Sequence, residues 1–262
     1  HKEIDVLMDI FATFKNNTKK LFVVNQSHVL AKQLSQNVQH DFSVDETSGA
    51  GFIATGFHQK GLAISFSVNE VAFELNQVGK HNMENALAAA TAANQLGVDL
   101  TVCAQALTHY EGIYRRHQVL GNKKGVWLID DYAHNPAKCA ASIDACKNIA
   151  PKVIAWFQPH GYTPTKFLRA DFVQEIAAVL RPEDEIWMSE IFYAGGTAVK
   201  DISANDLIND LKALNKNAFF IENRNDFLSA ARSHFTDDCV LLLMGARDPS
   251  LEQFAQKVWG EL

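Results

Sequence analysis

The sequence lacks several features that would place a protein in a class at once. It has only four cysteines in 262 residues, and none lies in a Cys-x-x-Cys pair or at a cysteine–histidine spacing typical of metal sites. Reduced, buried thiols are therefore expected, as in cytoplasmic proteins. No apolar run approaches the ~20 residues that cross a bilayer, and the first residues do not resemble a signal peptide. These absences predict a cytoplasmic location and no membrane partner.

Positive charge and two common nucleotide motifs are also missing. The net charge is −6, which gives no electrostatic reason to expect nucleic acid as a partner. The sequence contains neither Gly-x-x-x-x-Gly-Lys-Ser/Thr nor Gly-x-Gly-x-x-Gly. The nearest stretch, residues 49–56, lacks the lysine. A dinucleotide enzyme is thus disfavoured, and nothing in these residues is expected to cradle a triphosphate alone.

Composition and hydrophobic spacing predict a soluble α/β protein of two domains. It is 47% hydrophobic and 21% charged, and 262 residues suffice for two domains of ordinary size. In the first, hydrophobic spacing predicts helices over residues 4–14, 27–34, 82–96 and 100–108, a strand over 20–24, and a small antiparallel meander over 52–56, 61–66 and 71–75. A linker is expected at residues 110–116.

Strict β–α alternation follows the linker and predicts a mostly parallel, Rossmann-like sheet covered by helices. The predicted strands are 126–130, 152–157, 185–189, 218–221 and 239–244, and the predicted helices are 137–148, 166–180, 203–214, 225–234 and 251–259. The predicted domains are residues 1–113 and 114–262. Because the chain opens abruptly on His-Lys-Glu-Ile-Asp without a methionine, we expect a fragment whose preceding strands are missing.

Polar groups suited to a nucleotide occur before and inside the linker. Asn82 and Asn85 lie three residues apart on a predicted helix, so both can face a planar base; helix capping is the alternative. Arg115 and Arg116 match phosphate oxygens through the guanidinium fork, although a solvated surface pair is equally consistent with the sequence.

The most informative segment runs from Asp130 to Pro136. An apolar run ends there in Asp130 and Asp131 and is followed by His134 and a proline that can open a helix. The carboxyl end of a parallel strand is where such sheets bind ligands. Since neighbours in an extended strand point to opposite faces, we expect that the two aspartates are not both core residues and that at least one serves a loop or a ligand.

Three further strand ends carry candidate substrate contacts. His160 follows one strand and can contact substrate or carry a proton, or it is a plain surface histidine. Tyr193 lies before Gly195 and Gly196, and Arg247 follows Gly245, where glycine lets a backbone approach a ligand closely. Several such loops at one predicted sheet edge indicate a site.

Taken together, four segments resemble the Mur ligases, the ATP-dependent amide-forming enzymes of peptidoglycan precursor synthesis. They are residues 79–89, 114–121, 130–136 and 157–160. The last two are most similar to the branch that joins L-alanine to UDP-N-acetylmuramate. The resemblance covers the whole chain and implies the later part of a central ATPase domain followed by a Rossmann-like carboxyl-terminal domain.

The resemblance also implies roles and partners. Asn82 and Asn85 would contact the adenine side of ATP, Arg116 would reach its phosphates, and Asp131 with His134 would hold the nucleotide. His1 is similar to a metal-binding histidine of the family, so Mg²⁺ is implied beside ATP. The implied partners are a UDP-N-acetylmuramate-type nucleotide sugar and an amino acid or peptide.

Two departures concern the amine substrate. Arginines expected from the resemblance are replaced by Gly161 and Pro164, and Arg247 stands in a segment that is usually glycine-rich, where it replaces a lost charge. Alternatives are therefore a ligase that attaches a recycled peptide, or a non-catalytic binding module. Without a phosphate loop, the chain alone is expected to be inactive.

Overall fold

The computed structural model describes residues 2–262, with the side chain of Lys2 left out. The chain forms two compact units, unit 1, which ends at Glu111, and unit 2, Gly112–Leu262. The sequence places this division at Ile113, two residues later. His1, the metal-binding residue suggested by the sequence, lies outside the described residues.

Unit 1 combines helices with a small sheet. Its elements are α1 (Lys2–Asn17), β1 (Phe42–Ser43), β2 (Phe52–Lys60), β3 (Ala63–Val68), β4 (Val71–Leu75), α2 (Lys80–Gln95) and α3 (Leu100–Thr108). The sheet order is β1-β2-β3-β4, with β2, β3 and β4 antiparallel as predicted. Phe66 and Phe73 stack in its core with ring centroids 5.3 Å apart.

Two sequence predictions in unit 1 are wrong. Residues 20–24 form no strand, because the buried Asp41 carboxylate accepts the Val24 N–H at 3.0 Å and so takes the place of a ladder partner. Residues 27–34 form no α-helix, only a 3₁₀ turn at Ala31–Leu34. The Ser27 hydroxyl, at the start of that segment, bonds the Ser43 hydroxyl at 2.8 Å. Local side-chain hydrogen bonds outcompete regular structure here.

Unit 2 is a six-stranded sheet with helices on both faces. Its elements are β5 (Gln118–Lys123), β6 (Val126–Asp131), α4 (Pro136–Cys146), β7 (Lys152–Gln158), α5 (Tyr162–Phe167), α6 (Arg169–Val179), β8 (Glu185–Ser189), α7 (Ala204–Ala213), β9 (Asn217–Ile221), α8 (Phe227–Ala231), β10 (Cys239–Gly245) and α9 (Leu251–Glu261). The order is β5-β6-β10-β7-β8-β9, and all pairs but β5–β6 are parallel. The predicted mostly parallel, helix-covered sheet is confirmed.

The antiparallel edge strand β5 is absent from the sequence predictions. Gly121 interrupts its apolar alternation, and the register with β6 shifts between Val119 and Gly121. The indole of Trp259 occupies the space that a β-carbon at Gly121 would need, with Cη2 2.6 Å away. A close approach of a ring from α9 therefore explains the glycine, and a glycine inside a strand weakens the sequence signal.

Two predicted helices are broken. The segment predicted as one helix over 166–180 is α5 and α6, which meet at Leu168. The segment predicted over 225–234 is the short α8 between two 3₁₀ turns, Arg224–Asp226 and Arg232–His234. Both breaks lie in connections that follow strand ends.

The sheet has a separate core on each face. On one face, residues such as Ile129 and Phe157 pack against α4, α6 and α7. On the other face, Leu128 and Trp156 pack against α8 and α9. Because β6, β7, β8, β9 and β10 are parallel, their carboxyl ends share one edge, where the polar loops lie.

A buried charged network ties strands together at the opposite, amino-terminal edge. The Glu185 carboxylate accepts hydrogen bonds from Lys152 Nζ at 2.7 Å, Trp187 Nε1 at 2.9 Å and His234 Nδ1 at 3.0 Å. Burial opposes ionisation of Glu185, but these hydrogen bonds outweigh burial and hold its pKa below the ordinary value. The network is therefore a source of stability far from the polar edge.

Glu185→Gln should lower the free energy of unfolding by about 3 kcal/mol at neutral pH, because it leaves Lys152 without its buried counter-charge. The Glu185 contribution is fully present above its ordinary pKa and is lost as pH falls through the lowered folded-state pKa. The variant should therefore show a shallower loss of stability with acidification, measured by urea unfolding from pH 7 to pH 3. As a control, Lys257→Met breaks an exposed pair with Glu261 and should cost less than about 0.5 kcal/mol. Equal losses in the two variants would contradict this.

Candidate functional site

The segment that joins β6 to α4 has the predicted form. Asn135 precedes the helix and its side-chain oxygen accepts the Lys138 N–H at 2.9 Å, while Pro136 occupies the first helical turn. A side-chain cap followed by proline fixes where the helix begins. Asn135 and Pro136 thus shape the loop, and Tyr132 and His134 are the residues that it presents.

The expectation that Asp130 and Asp131 are not both core residues is wrong. Both lie within β6 and both are buried, at 4% and 8% exposure. They do point to opposite faces, as the strand pleat requires. However, helices cover both faces of this sheet, so each carboxylate meets a protein partner: Arg115 for Asp130 and Ser142 for Asp131.

Arg115 is an internal anchor and is not available to phosphate. Its Nε lies 2.9 Å from Asp130 Oδ2, and its Nη2 donates to the Gly245 carbonyl at 3.2 Å. Burial raises the pKa of Asp130 despite the guanidinium beside it. The Arg115 carbonyl accepts the Tyr132 N–H at 2.8 Å. These bonds fix the start of unit 2 to the end of β6.

Arg116, by contrast, is exposed. Its guanidinium carbon lies 5.4 Å from the centre of the Tyr132 ring, within the range of a cation–π contact. The residues on either side, Arg115 and His117, both have positive φ, 52° and 51°. Such backbone costs about 1 kcal/mol or more at a residue other than glycine and is often found at functional sites. The tight backbone turns Arg116 outward between two buried neighbours.

Four basic residues besides the buried Arg115 lie next to Tyr132 or next to its neighbour His134, and we call them the basic cluster: Arg116, His134, His160 and Arg247. The His134 ring is 5.5 Å from the Tyr132 ring and 5.6 Å from the His160 ring. Arg247 has φ 64°, is exposed, and its N–H lies 3.4 Å from the Tyr132 hydroxyl. The turn before β5 supplies Arg116, and the loops after β6, β7 and β10 supply His134, His160 and Arg247, so four separate segments meet here.

The two histidines of the basic cluster differ in the hydrogen bonding of their Nδ1 atoms. His134 Nδ1 lies 2.9 Å from the Tyr132 carbonyl, which can only accept, so Nδ1 carries the hydrogen and Nε2 has a lone pair. The Nδ1 atom of His160 is buried without a hydrogen-bond partner among residues 2–262. Burial, then repulsion from Arg247 and from the protonated form of His134, lower the pKa of His160 below its ordinary value. In its neutral form each ring thus leaves one nitrogen lone pair that can accept a hydrogen bond from a bound group.

The two departures from the expected arginines are structurally linked. Gly161 has φ 73°, and a β-carbon there would lie 3.2 Å from Pro164 Cδ. An arginine at position 161 would therefore be strained by its backbone and crowded by the proline. Pro164 lies in the first turns of α5, where proline is tolerated. The loop therefore favours glycine at position 161.

An open cleft of about 490 Å³ lies beside the basic cluster, at the ends of β7, β8, β9 and β10. Its lining comprises Gln158, Glu190, Ile191, Phe192, Tyr193, Glu222, Asn223, Arg224, Asn225, Asp248 and Ser250. Tyr193, a sequence-predicted substrate contact, therefore lies in the wall of a cavity. Its hydroxyl accepts the Ala198 N–H at 3.0 Å, which holds the following loop in place.

Arg224 joins three side chains beside the cleft, a role that was not predicted from the sequence. Its guanidinium bonds the Gln158 side-chain oxygen at 2.9 Å, the Asp248 carboxylate and the Ser250 hydroxyl. Burial opposes ionisation of Asp248, but hydrogen bonds from Ser250 and Arg224 outweigh it and lower the Asp248 pKa. In the sequence, only its place after the predicted strand 218–221 could have marked Arg224 as a site residue.

The asparagines of unit 1 lie on the first turns of α2. Asn82 is partly buried and its amide donates to the Val78 carbonyl at 2.8 Å, so it does take part in shaping the helix start. Asn85 is exposed. Neither observation tests a contact with adenine.

The described residues offer no evident metal centre. Among residues 2–262 no three histidine, cysteine, aspartate or glutamate side chains are grouped closely enough to hold a metal ion. The Mg²⁺ implied by the sequence resemblance is therefore not placed on these side chains. In the same part of the chain, no helix is long and apolar enough to cross a membrane.

The family model described as Mur ligase, glutamate ligase domain, matches residues 115–247, just over half of the chain. The chain belongs to the Mur ligase family. The matched region begins at the buried Arg115 and ends at Arg247, so it contains the whole basic cluster.

Curated relatives of this Mur ligase chain are identical to it at about a third of the aligned positions. A UDP-N-acetylmuramate–L-alanine ligase from Legionella pneumophila (strain Corby) is 33% identical over 210 residues, covering 75% of this chain and 44% of the relative. One of the same name from Caldanaerobacter subterraneus subsp. tengcongensis is 32% identical over 228 residues, covering 85% and 48%. The chain thus spans about half the length of the curated relatives it matches.

Solved Mur ligase structures share the fold. UDP-N-acetylmuramate–alanine ligase from Thermotoga maritima matches with a TM-score of 0.75 at 22% identity, over 97% of this chain and 55% of that one. A murein peptide ligase from Psychrobacter arcticus matches with a TM-score of 0.58 at 17% identity, over 99% and 55%. At these identities the likeness concerns the fold alone.

Arg247→Gln should raise the pKa of His160, because it removes a nearby positive charge, but only part of the way to 6.5, since burial is the larger cause. NMR titration of the imidazole Hε1 signals in the wild type and the variant measures both values. With a folded-state pKa below the unfolded one, protonation of His160 also favours unfolding, so stability falls as pH drops through 6.5. A wild-type midpoint above 6.5, or no change in the variant, would contradict the described environment.

Proposed function

We propose that the complete protein is an ATP-dependent amide-forming ligase of peptidoglycan precursor synthesis. Its reaction joins an amino acid, with L-alanine the first candidate, to UDP-N-acetylmuramate through an acyl phosphate. The names of the curated relatives support this substrate pair, and they come from proteins about twice as long as this chain. The proposal therefore concerns the complete protein in its cytoplasmic setting.

The observation that carries the proposal is the basic cluster at the carboxyl edge of the parallel sheet. Ligands of open α/β sheets bind at this edge, and exposed guanidinium groups suit phosphate oxygens. Arg116 and Arg247 are both exposed and flank Tyr132. A phosphoryl group that moves from nucleotide to carboxylate needs such fixed positive charge in its transition state.

We assign individual roles on this basis. Arg116 contacts the nucleotide phosphates, Asp131 and His134 hold the nucleotide, and Asn82 with Asn85 contact adenine. Mg²⁺ would supply additional positive charge to the phosphates when bound. His160, Arg247 and Tyr193 contact the amine substrate or the acyl phosphate.

The amide-forming step asks for a proton acceptor as well as a cation. The neutral amine attacks the acyl carbon, a C–N bond forms, the C–O bond to phosphate breaks, and one proton leaves the nitrogen. His134 Nε2 has the free lone pair for this proton, because Nδ1–H is held by the Tyr132 carbonyl. His160, whose pKa is lowered by burial and by neighbouring charge, stays neutral near pH 7 and can serve beside it.

The cleft favours a second candidate, a ligase that attaches a peptide. Its volume of about 490 Å³ lies in the range of pockets for sizeable ligands. The cleft is open to solvent, so a ligand longer than alanine can extend along it. Gly161 and Pro164 also stand where the resemblance implies arginines, which removes two positive charges from the amine side. A peptide-accepting reaction uses the same basic cluster and differs only in the occupant of the cleft.

A non-catalytic binding module is the alternative of a different class. These residues contain no phosphate loop. The chain alone is therefore expected to be inactive, whether the complete protein is an enzyme or a binding module. An enzyme would hydrolyse or transfer phosphate once complete, whereas a binding module would bind ligand without turnover. The experiments below separate the two.

Arg116→Ala and Asp131→Ala in the complete protein should each raise the Michaelis constant for ATP or lower the turnover rate by about ten- to hundredfold, as expected for loss of a charge-assisted contact. Phosphate release with UDP-N-acetylmuramate and L-alanine is the measurement. Arg232→Ala removes an exposed arginine whose guanidinium bonds the Glu261 carbonyl and should leave both constants unchanged. Unaltered kinetics in the first two variants would overturn the site assignment.

A panel of amine substrates decides between alanine and peptide. With the complete protein and UDP-N-acetylmuramate, turnover should occur with L-alanine, with short peptides that begin with L-alanine, or with both. A kcat/KM at least about tenfold higher for peptides would establish the second candidate. No ATP turnover with any amine, together with measurable nucleotide binding, would favour the binding module.

A further inference from the structure

A buried chain of polar side chains lies directly behind Asp131. The Ser142 hydroxyl donates to Asp131 Oδ2 at 2.6 Å, and His117 Nδ1 lies 3.2 Å from the same hydroxyl oxygen and 3.6 Å from Asp131 Oδ2 itself. On its other side, His117 Nε2 lies 3.7 Å from the Cys146 sulfur. His117 is 4% exposed, Ser142 1% and Cys146 0%. Nothing in the proposed reaction uses these three residues directly.

Hydrogen-bond chemistry sets the direction of this chain. The Asp131 carboxylate accepts, so the single hydroxyl hydrogen of Ser142 is committed to it. The Ser142 oxygen can then only accept from His117, which requires the hydrogen on Nδ1. In this tautomer Nε2 is left as an acceptor for the Cys146 thiol. Burial, followed by the charges of Asp131 and Asp184, raises the pKa of Cys146, so the thiol keeps its hydrogen.

The same histidine also belongs to the strained turn that presents Arg116. His117 has φ 51° and Arg115 has φ 52°. Arg115 is tied to Asp130 on one face of β6, and His117 is linked through Ser142 to Asp131 on the other face. The residues on both sides of Arg116 are thus held by two consecutive carboxylates of a single strand.

We propose that His117, acting through Ser142, is a positioning residue that fixes the Asp131 carboxylate and the neighbouring Arg116 in the orientation needed for nucleotide. The proposal rests on the proposed function, because the readout is nucleotide affinity. It adds two residues that have no contact with substrate and whose effect passes through Asp131 and the backbone of the turn. A merely structural role for His117 would require only its volume and burial.

The imidazole offers a matched pair of substitutions. In His117→Asn the amide nitrogen takes the place of Nδ1 and can still donate to Ser142, and asparagine tolerates positive φ. In His117→Gln the amide reaches the position of Nε2 and the donation to Ser142 is lost. In the complete protein, His117→Gln and Ser142→Ala should raise the Michaelis constant for ATP about tenfold, as loss of outer-shell support does elsewhere. His117→Asn should stay within about threefold of the wild type.

Controls separate positioning from stability. Ser189→Ala removes another buried hydroxyl of this sheet, one that accepts the Trp156 indole N–H at 2.9 Å. This variant should lower the melting temperature and leave the Michaelis constant for ATP unchanged. If His117→Gln and His117→Asn have equal kinetics, or if Ser142→Ala matches the wild type, the positioning role is refuted.

A measurement without activity keeps this result distinct from failure of the proposed function. Imidazole ¹⁵N NMR on the 262-residue chain reports which ring nitrogen of His117 carries hydrogen. The expected signal is that of the Nδ1–H form, and in Ser142→Ala the preference for this form should weaken. An Nε2–H form in the wild type would overturn the proposal even if the complete protein turns over ATP. If the Nδ1–H form is found but the complete protein turns over no ATP, the proposed function is rejected. The positioning of Asp131 by His117 and Ser142 is then not contradicted.

Discussion

The candidate site depends on two adjacent carboxylates buried on opposite faces of one strand. Asp130 binds Arg115, and Asp131 binds Ser142 with His117 behind it. Removing two charges from water is costly unless each is paired and hydrogen-bonded. Their partners come from the turn that opens unit 2 and from α4, so the requirement to satisfy the carboxylates joins these segments to the end of β6. The exposed groups of the basic cluster are placed by this buried framework.

The architecture explains why the polar groups collect where they do. Five parallel strands end at one edge, and each following loop leaves the sheet there. Helices cover both faces, so polar side chains at the strand ends either find internal partners or face the open edge. Arg115 and Asp130 have internal partners, whereas Arg116 and Arg247 face the open edge. The difference between neighbours such as Arg115 and Arg116 arises from backbone direction and not from residue type.

The parallel sheet and the meander could be predicted because their strands are short apolar runs bounded by turn residues, a signal that is local in the sequence. The start of α4 was equally predictable from Asn135 and Pro136. Elements that depend on distant partners were not predictable. The Val24 N–H is satisfied by Asp41 instead of a strand, and β5 makes room for a tryptophan ring that arrives from α9.

The same distinction applies to the site. His134, His160 and Arg247 could be selected because each follows a predicted strand, and the structure brings them together around Tyr132. The burial of both aspartates could not be foreseen, because it depends on helices that cover both faces. Arg224 was missed for a similar reason, since its partners come from loops that follow two other strands.

We propose that the loops around Tyr132 bind nucleotide. Hydrogen exchange of the complete protein, measured with and without a non-hydrolysable ATP analogue and Mg²⁺, tests it without requiring turnover. Exchange at residues 113–117 and 131–135 should be slower when the analogue is present. Protection confined to other parts of the protein, with these two segments unchanged at saturating analogue, would contradict it.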